Sequence, residues 1–161
     1  MTGVQTCALP ISRSQPGPVG LVVTTRFLLD TDALSEPVRP KPSRRFMRRF
    51  EQHASSLAIT AVTWHEALFG ARRLPPGRRR QEIESYLRDV IEACIPVLSY
   101  DRAAAAWHAS ERARLESEGH PPPFADAQIA AIAATQGLVL VTRNLKDYAL
   151  FGDITVEDWC R

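Results

Sequence analysis

Five acidic or amide side chains stand just after short apolar runs or near the starts of predicted helices: Asp30, Glu66, Asp126, Asn144 and Asp147. If the apolar runs are parallel strands, their carboxyl ends meet at one edge of a sheet, where open α/β proteins bind ligands. Carboxylates crowded at that edge repel one another, and oxygen-ligated Mg²⁺ or Mn²⁺ relieves the repulsion. Such an ion can generate a hydroxide nucleophile and stabilise an in-line phosphoryl displacement. The pattern therefore predicts a divalent-metal site suited to phosphoryl chemistry.

Each of these acids also has a simpler explanation. Asp30 directly follows the run Phe27–Leu29, and either Asp30 or Asp32 could cap the helical turn that comes next. Taken singly, the acids fit helix caps or solvated surface residues. Their recurrence at comparable positions along the chain favours the metal site. The sequence leaves open what Asp32 adds beside Asp30.

The segments that must position these side chains alternate between short apolar runs and longer helix-like stretches. The runs interpreted as strands are Phe27–Leu29, Leu57–Ile59, Ile95–Leu98, Leu138–Val141 and Ile154–Val156. Pro96 marks the third run as a short or edge strand. The stretches interpreted as helices are Arg44–His53, Ala61–Leu74, Glu82–Cys94, Asp101–Ser117 and Phe124–Ala134. This alternation predicts a three-layer α/β/α sandwich with a mostly parallel central sheet of four to five short strands.

The composition is that of a globular chain without a membrane-spanning segment. Apolar residues make up 45% of the 161 residues, and no window approaches the ~18 apolar residues that a membrane span needs. Cys7, Cys94 and Cys160 form no CxxC pair and show no zinc-ligand spacing. We therefore expect a cytoplasmic location, no membrane association and no disulfide framework.

The first residues are expected to lie outside the domain. Met1–Ser12 is similar to the translation of a common sequencing-adapter read, and Ser14–Gly20 is rich in Pro and Gly. A signal peptide explains this stretch poorly, because no basic region precedes the apolar residues and Pro10 interrupts them. We expect residues 1–25 to be a non-native leader and residues 26–161 to form one domain.

Positive charge is concentrated in one half of the chain. Residues 37–88 carry 12 basic and 4 acidic side chains, whereas residues 89–161 carry 6 basic and 11 acidic ones. A cationic half suits a polyanionic ligand. No acid occurs from Val38 to Phe50, and the basic side chains there fit either an ordinary solvated face or a patch that contacts phosphates. They are Arg39, Lys41, Arg44, Arg45, Arg48 and Arg49.

Four blocks of sequence carry a resemblance to a known family. They are Phe27–Asp32 with Glu36, Ile59–Glu66, Asp126–Ala131, and Leu140–Asn144 with Asp147 and Tyr148. In this order they resemble the PIN-domain superfamily and, within it, the VapC-type toxins of type II toxin–antitoxin pairs. The resemblance extends over Arg26–Trp159, essentially the whole predicted domain. It implies a PIN-like nuclease domain over residues 26–161.

The resemblance also implies an activity and roles for the acids. It implies an endoribonuclease, dependent on Mg²⁺ or Mn²⁺, that halts translation by cutting a structured RNA such as tRNA or ribosomal RNA. Asp30 and Asp126 match the principal metal ligands, and Glu66 matches the third acid. The fourth position is either Asn144 or Asp147. An amide at 144 can orient a carboxylate or a water but supplies no charge.

RNA contacts and protein partners follow from the same resemblance. The basic set of residues 39–49, together with Arg143 at the end of the fourth strand, is predicted to contact RNA. A cognate antitoxin is the implied protein partner, and it could reach the acids with a basic side chain. Self-association into a homodimer is also expected.

Two alternatives from other functional classes remain open at the level of sequence. One is a PIN-like module that binds RNA or a partner without catalysing a reaction. The other is a haloacid-dehalogenase-like phosphatase, because Asp30 and Asp32 imitate that family's nucleophile and acid/base pair. The position of Lys146, six residues before Gly152, argues against the phosphatase.

Overall fold

The computed structural model describes residues 24–161, in which a fully parallel sheet lies between two helical layers. Its strands are β1 (Phe27–Leu29), β2 (Leu57–Thr60), β3 (Val97–Leu98), β4 (Val139–Val141) and β5 (Thr155–Glu157). The strand order is β3-β2-β1-β4-β5, which confirms the predicted sandwich with five strands. Positions 1–23 of the expected leader, including Cys7, lie outside the described residues.

Seven α-helices connect and flank the strands in the described part of the chain. They are α1 (Thr31–Leu34), α2 (Arg44–Gln52), α3 (Ala61–Arg73), α4 (Arg78–Tyr86), α5 (Arg102–Ser117), α6 (Phe124–Gln136) and α7 (Leu145–Tyr148). Within residues 24–161, no helix has the length and apolar character needed to cross a bilayer.

Alternation along β1 divides the interior into two cores, because successive strand side chains point to opposite faces. Phe27 and Leu29 join one cluster with residues of α2 and α3, including Phe46 and Ala71. Leu28 joins the other cluster with the small apolar residues of α6. All three residues of β1 are buried, so the strand is covered on both faces as its continuous apolar run predicts.

The helix ends follow the capping chemistry of the sequence. Ser43, Thr60 and Asp101 each accept a hydrogen bond from a backbone N–H in the first turn of the following helix, at 3.3, 2.9 and 2.9 Å. These bonds satisfy donors that a helix start otherwise leaves unpaired. Gly137 ends α6 in the left-handed conformation, with φ of 64°, which favours glycine.

Three of the predicted elements have boundaries that differ from the structure by one to four residues. The third strand spans only Val97–Leu98, at the edge of the sheet, because Pro96 has no N–H to donate to a ladder. The last strand begins at Thr155, one residue later than predicted, and extends to Glu157. The helix predicted over Glu82–Cys94 begins at Arg78 and widens into a π-helical segment over Leu87–Glu92.

Candidate active site

Asp30 is the first residue beyond β1, and it is 7% exposed. One carboxylate oxygen caps α1 by accepting the N–H of Thr31 at 2.7 Å. The other accepts the hydroxyl of Thr142, beyond the end of the neighbouring strand β4, at 2.9 Å. Asp30 therefore does act as a cap, but it is also fixed from a second strand. Both bonds orient the carboxylate at the carboxyl edge of the sheet.

The acids predicted to share this edge influence one another electrostatically. Burial, together with the charges of Asp32 and Asp126, raises the pKa of Asp30 to about 6. Burial likewise raises the pKa of Asp126 to about 6, with additional repulsion from Asp147 and Glu66. Two carboxyls with raised pKa beside other acids form a site where a bound cation relieves the repulsion.

Glu66 lies in the second turn of α3 and is half-buried. One of its carboxylate oxygens accepts a short hydrogen bond from the hydroxyl of Thr31. Thr31 thus bonds Asp30 through its backbone and Glu66 through its side chain. This small residue between two aspartates connects the first and third predicted acids of the site.

The fourth predicted position contains a bonded pair. The side-chain amide of Asn144 donates a short hydrogen bond to a carboxylate oxygen of Asp147. The backbone N–H of Asn144 donates to the hydroxyl of Thr142 at 3.0 Å. The side-chain amide of Asn144 therefore orients the Asp147 carboxylate, and the charge of Asp147 acts on Asp126.

Tyr148 is a site residue that sequence reasoning did not assign a role. Its side chain is buried, and its hydroxyl lies beside the Asp30 carboxylate without forming a well-aligned hydrogen bond to it. Burial and the charges of Asp30 and Asp126 raise the pKa of this phenol. A buried, unpaired hydroxyl beside carboxylates is unusual because it loses water without gaining a partner. The sequence feature that could have indicated a role for Tyr148 is its position next to Asp147.

Asp32 does not project freely into the site. Both of its carboxylate oxygens accept the backbone N–H of Arg143, at 3.2 and 3.0 Å, and one also accepts from Thr142 at 3.4 Å. Asp32 therefore ties α1 to the end of β4. In a phosphatase of the haloacid-dehalogenase type this residue would be the free acid/base group, and the observed bonds disfavour that role.

Glu36 belongs to the first block of the family resemblance, but the sequence assigned it no role. It is 3% exposed, and it accepts the backbone N–H of Ser43 at 2.8 Å. It also forms ion pairs with Arg39 at 3.2 Å and Arg143 at 3.1 Å. Two of the arginines predicted to contact RNA are thus held by one buried carboxylate.

The remaining predicted RNA contacts fall into two groups. Arg49 is half-buried, pairs with Glu157 at 2.6 Å and lies over the ring of Trp159 at 4.8 Å. It therefore stabilises the contact between α2 and β5. The others are exposed on or just before α2 and remain candidates for phosphate contact: Lys41, Arg44, Arg45 and Arg48.

The acids of this edge can be compared with the coordination that Mg²⁺ uses in proteins. No three acidic, histidine or cysteine side chains of residues 24–161 converge closely enough to enclose a metal ion by themselves. Mg²⁺ usually keeps several waters and takes only one or two carboxylates from the protein. Asp30 and Asp126, whose pKa values are both raised to about 6, meet that requirement.

Comparison with known proteins identifies the family. The PIN domain family model matches residues 27–149. The chain is 33% identical over 136 residues to the tRNA(fMet)-specific endonuclease VapC of Salmonella typhimurium, covering 84% of this chain and 98% of that protein. It superposes on DNA-bound VapBC from Salmonella typhimurium with a TM-score of 0.75 and 31% identity, covering 84% of this chain and 99% of that chain. It superposes on FitAcB from Neisseria gonorrhoeae with a TM-score of 0.75 and 27% identity, covering 83% of this chain and 97% of that chain.

A parallel sheet in this order, with acids at its carboxyl edge and a matching family model, defines a PIN-domain protein. The chain belongs to the PIN-domain family and, within it, to the VapC ribonucleases of toxin–antitoxin systems.

Proposed function

We propose that this chain is a divalent-metal-dependent endoribonuclease that cleaves structured RNA and thereby inhibits translation. The observation that carries the proposal is the environment of Asp30 and Asp126. Both carboxyls have pKa values raised to about 6, by burial first and then by neighbouring acids. A purely RNA-binding surface has no use for clustered carboxylates, because they repel phosphates.

The residues divide into those that would hold the ion and those that orient them. Asp30 and Asp126 would hold Mg²⁺ or Mn²⁺ directly, and Glu66, which does not converge on one point with them, would act through water on the ion. The bound ion would activate water and neutralise charge on the phosphodiester. Orienting hydrogen bonds come from small polar side chains. Thr142 donates to Asp30, Thr31 donates to Glu66, and Asn144 donates to Asp147.

The substrate class is structured RNA, and tRNA is the first candidate. The similar protein from Salmonella typhimurium is described as a tRNA(fMet)-specific endonuclease. Ribosomal RNA is the other candidate. The exposed basic side chains of α2 and the preceding loop would contact the phosphate backbone, whose attraction does not depend on sequence.

We also propose a protein partner. Similar chains were solved as VapBC and FitAcB, and VapBC is described as a family of toxin–antitoxin systems. A cognate antitoxin that brings a basic side chain to Asp30, Glu66 and Asp126 would replace the charge of the ion and prevent catalysis. We propose that the toxin forms a homodimer, which would let one antitoxin dimer engage two toxins.

Expression of the full chain in a bacterial host tests the toxin proposal. We expect growth arrest together with discrete tRNA or ribosomal RNA fragments, and neither effect from the Asp30→Asn variant. Arrest without RNA fragments would contradict the ribonuclease mechanism. Fragments without arrest would contradict the toxin role and leave the nuclease proposal standing.

A further inference from the structure

A small pocket lies between α5 and α6, and none of the hydrogen-bonded acids lines it. Its volume is about 260 Å³, below the ~300–1,000 Å³ typical of sites for drug-sized ligands. The lining residues are Tyr100, Ala105, His108, Ala109, Arg112 and Phe124. The pocket therefore suits a small, flat group with one polar edge.

His108 gives the pocket an unpaired polar atom. The residue is 3% exposed, and its Nδ1 hydrogen-bonds the hydroxyl of Tyr100 at 2.8 Å. Its other ring nitrogen, Nε2, is buried and has no hydrogen-bond partner. Whichever tautomer is present, a buried donor or acceptor is left unsatisfied, which costs free energy unless a ligand pairs with it.

Phe124 supplies an exposed aromatic surface beside that nitrogen. Its ring lies 4.9 Å from the His108 ring, centroid to centroid, and its side chain is 56% exposed. The guanidinium of Arg112 lies 5.5 Å from the same ring. Exposed aromatic rings next to arginine are the surfaces on which unpaired nucleic-acid bases stack.

The pocket shares the first turn of α6 with one of the proposed catalytic acids, Asp126. Tyr100 comes shortly after the carboxyl end of β3, on the sheet edge that carries the acids. Phe124 begins α6, and Asp126 follows two residues later on the same helix. A phosphate is a poor occupant because alanines line the pocket and Arg112 is already paired with Glu116 at 2.6 Å.

We propose that this pocket binds one unstacked base of the RNA substrate, stacked on Phe124 and hydrogen-bonded to Nε2 of His108. The proposal rests on the proposed ribonuclease function, because it places the base beside the phosphodiester to be cleaved. It assigns to α5 and α6 a role in selecting a nucleotide whose base is free of pairing, as in a loop or bulge.

The test measures binding separately from cleavage. The full chain carrying Asp30→Asn is titrated with two fluorescein-labelled ten-nucleotide probes, one of alternating adenosine and cytidine, which cannot pair with itself, and one of abasic ribose phosphate. We expect Phe124→Ala in this background to weaken binding of the base-containing probe by about 5- to 150-fold, the range for loss of one stacked base. Binding of the abasic probe should not change. Equal losses on both probes, or no loss, would overturn the proposal.

Phe69→Ala is a matched control. Phe69 is 54% exposed, the guanidinium of Arg73 lies 5.4 Å from its ring, and His65 stacks on it at 6.1 Å. His65 is itself exposed, so this group offers no buried, unpaired nitrogen. We expect Phe69→Ala to leave the difference in affinity between the base-containing and abasic probes unchanged. A loss of that difference as large as the one in Phe124→Ala would overturn the proposal.

His108 provides a second variant pair. His108→Gln keeps an amide near the position of Nε2, whereas His108→Leu removes the polar atom. We expect most of the base-dependent affinity to survive in the glutamine variant and to be lost in the leucine variant, with both proteins showing a cooperative thermal transition. Equal affinities in the two variants would contradict the hydrogen bond to the base.

The oligomeric state is measured for Phe124→Ala by light scattering. Dissociation of a dimer by this substitution would show that a second copy of the chain covers the pocket, and would overturn the proposal. Base-dependent binding by a chain that cleaves no RNA would contradict the proposed function while supporting the pocket.

Discussion

Thr142 donates its hydroxyl hydrogen to Asp30 at 2.9 Å, and this bond joins the ends of the two adjacent strands β1 and β4. A hydrogen bond to the charged carboxylate lowers its pKa, and Thr142 has that effect on Asp30. Without the bond, Asp30 is both less well oriented and more easily protonated.

Thr142→Val, which keeps the shape of the side chain, should therefore reduce RNA cleavage at neutral pH by about 10- to 100-fold, as loss of a ligand-orienting partner does. It should also move the acid limb of the pH–rate profile to higher pH. Thr142→Ser keeps the hydroxyl and should retain most of the activity. Equal rates for the valine and serine variants would show that the bond has no functional role.

The raised pKa of Asp30 predicts how stability depends on pH in the metal-free protein. The folded-state pKa is raised from 3.8 to about 6, so the folded chain binds this proton more tightly than the unfolded chain. The corresponding stabilisation is fully present below pH 3.8 and is lost as the pH rises through about 6. At neutral pH the charged, buried carboxylate lowers the free energy of unfolding by roughly 3 kcal/mol at most.

Asp30→Asn should therefore raise the thermal midpoint at pH 7 in EDTA, and it should flatten the change in midpoint between pH 4 and 6. Adding Mg²⁺ should raise the midpoint of the wild-type protein and leave that of the variant unchanged, because only the wild-type site binds the ion. A lower midpoint for the variant at pH 7 in EDTA would contradict this account.

Tyr148→Phe tests the role of the unpaired hydroxyl. Because this buried group forms no well-aligned hydrogen bond, its removal should leave the free energy of unfolding unchanged or raise it by about 1 kcal/mol. If the hydroxyl bonds substrate or an ordered water beside Asp30, cleavage should fall at least tenfold in the same variant. Denaturant unfolding and single-turnover cleavage measure the two effects. A destabilised variant with full activity would assign Tyr148 a purely structural role.

Arg45 and Arg49 lie four residues apart on α2, and the structure predicts different outcomes for them. Arg45 is exposed, so Arg45→Ala should leave stability unchanged and reduce the salt slope of RNA binding by about 0.7–0.9, the effect of losing one phosphate contact. Arg49 pairs with Glu157 and lies over Trp159, so Arg49→Ala should lower stability by roughly 1 kcal/mol. Identical effects of the two substitutions on salt slope and stability would contradict this division.

The elements that depend on local sequence could be predicted. The buried run Phe27–Leu29, followed at once by Asp30, determines both a central strand and a carboxylate at its end. Ser43 and Asp101 cap helices where capping chemistry indicates. Among the predicted site residues, Asp30 and Asp126 have raised pKa values and Asn144 bonds Asp147, whereas the roles of the five acidic and amide residues stay predictions.

The elements that depend on distant partners could not be predicted. Arg143 lies 107 residues from the buried Glu36, yet the two pair, and a sequence pattern cannot indicate such pairing. Arg49 looked like its exposed neighbours because its partner Glu157 lies 108 residues away. The unpaired state of the Tyr148 hydroxyl likewise depends on packing between distant segments.

RNA cleavage by purified protein as a function of Mg²⁺ concentration, for the wild type and Asp126→Asn, tests the central claim most directly. Asp126→Asn removes the charge that acts on Asp30 and is expected to leave the fold intact. The account predicts saturable, Mg²⁺-dependent fragmentation of tRNA or ribosomal RNA by the wild type, none in EDTA, and none by the variant at any Mg²⁺ concentration. Cleavage that persists in EDTA, or in Asp126→Asn at the wild-type rate, would contradict it.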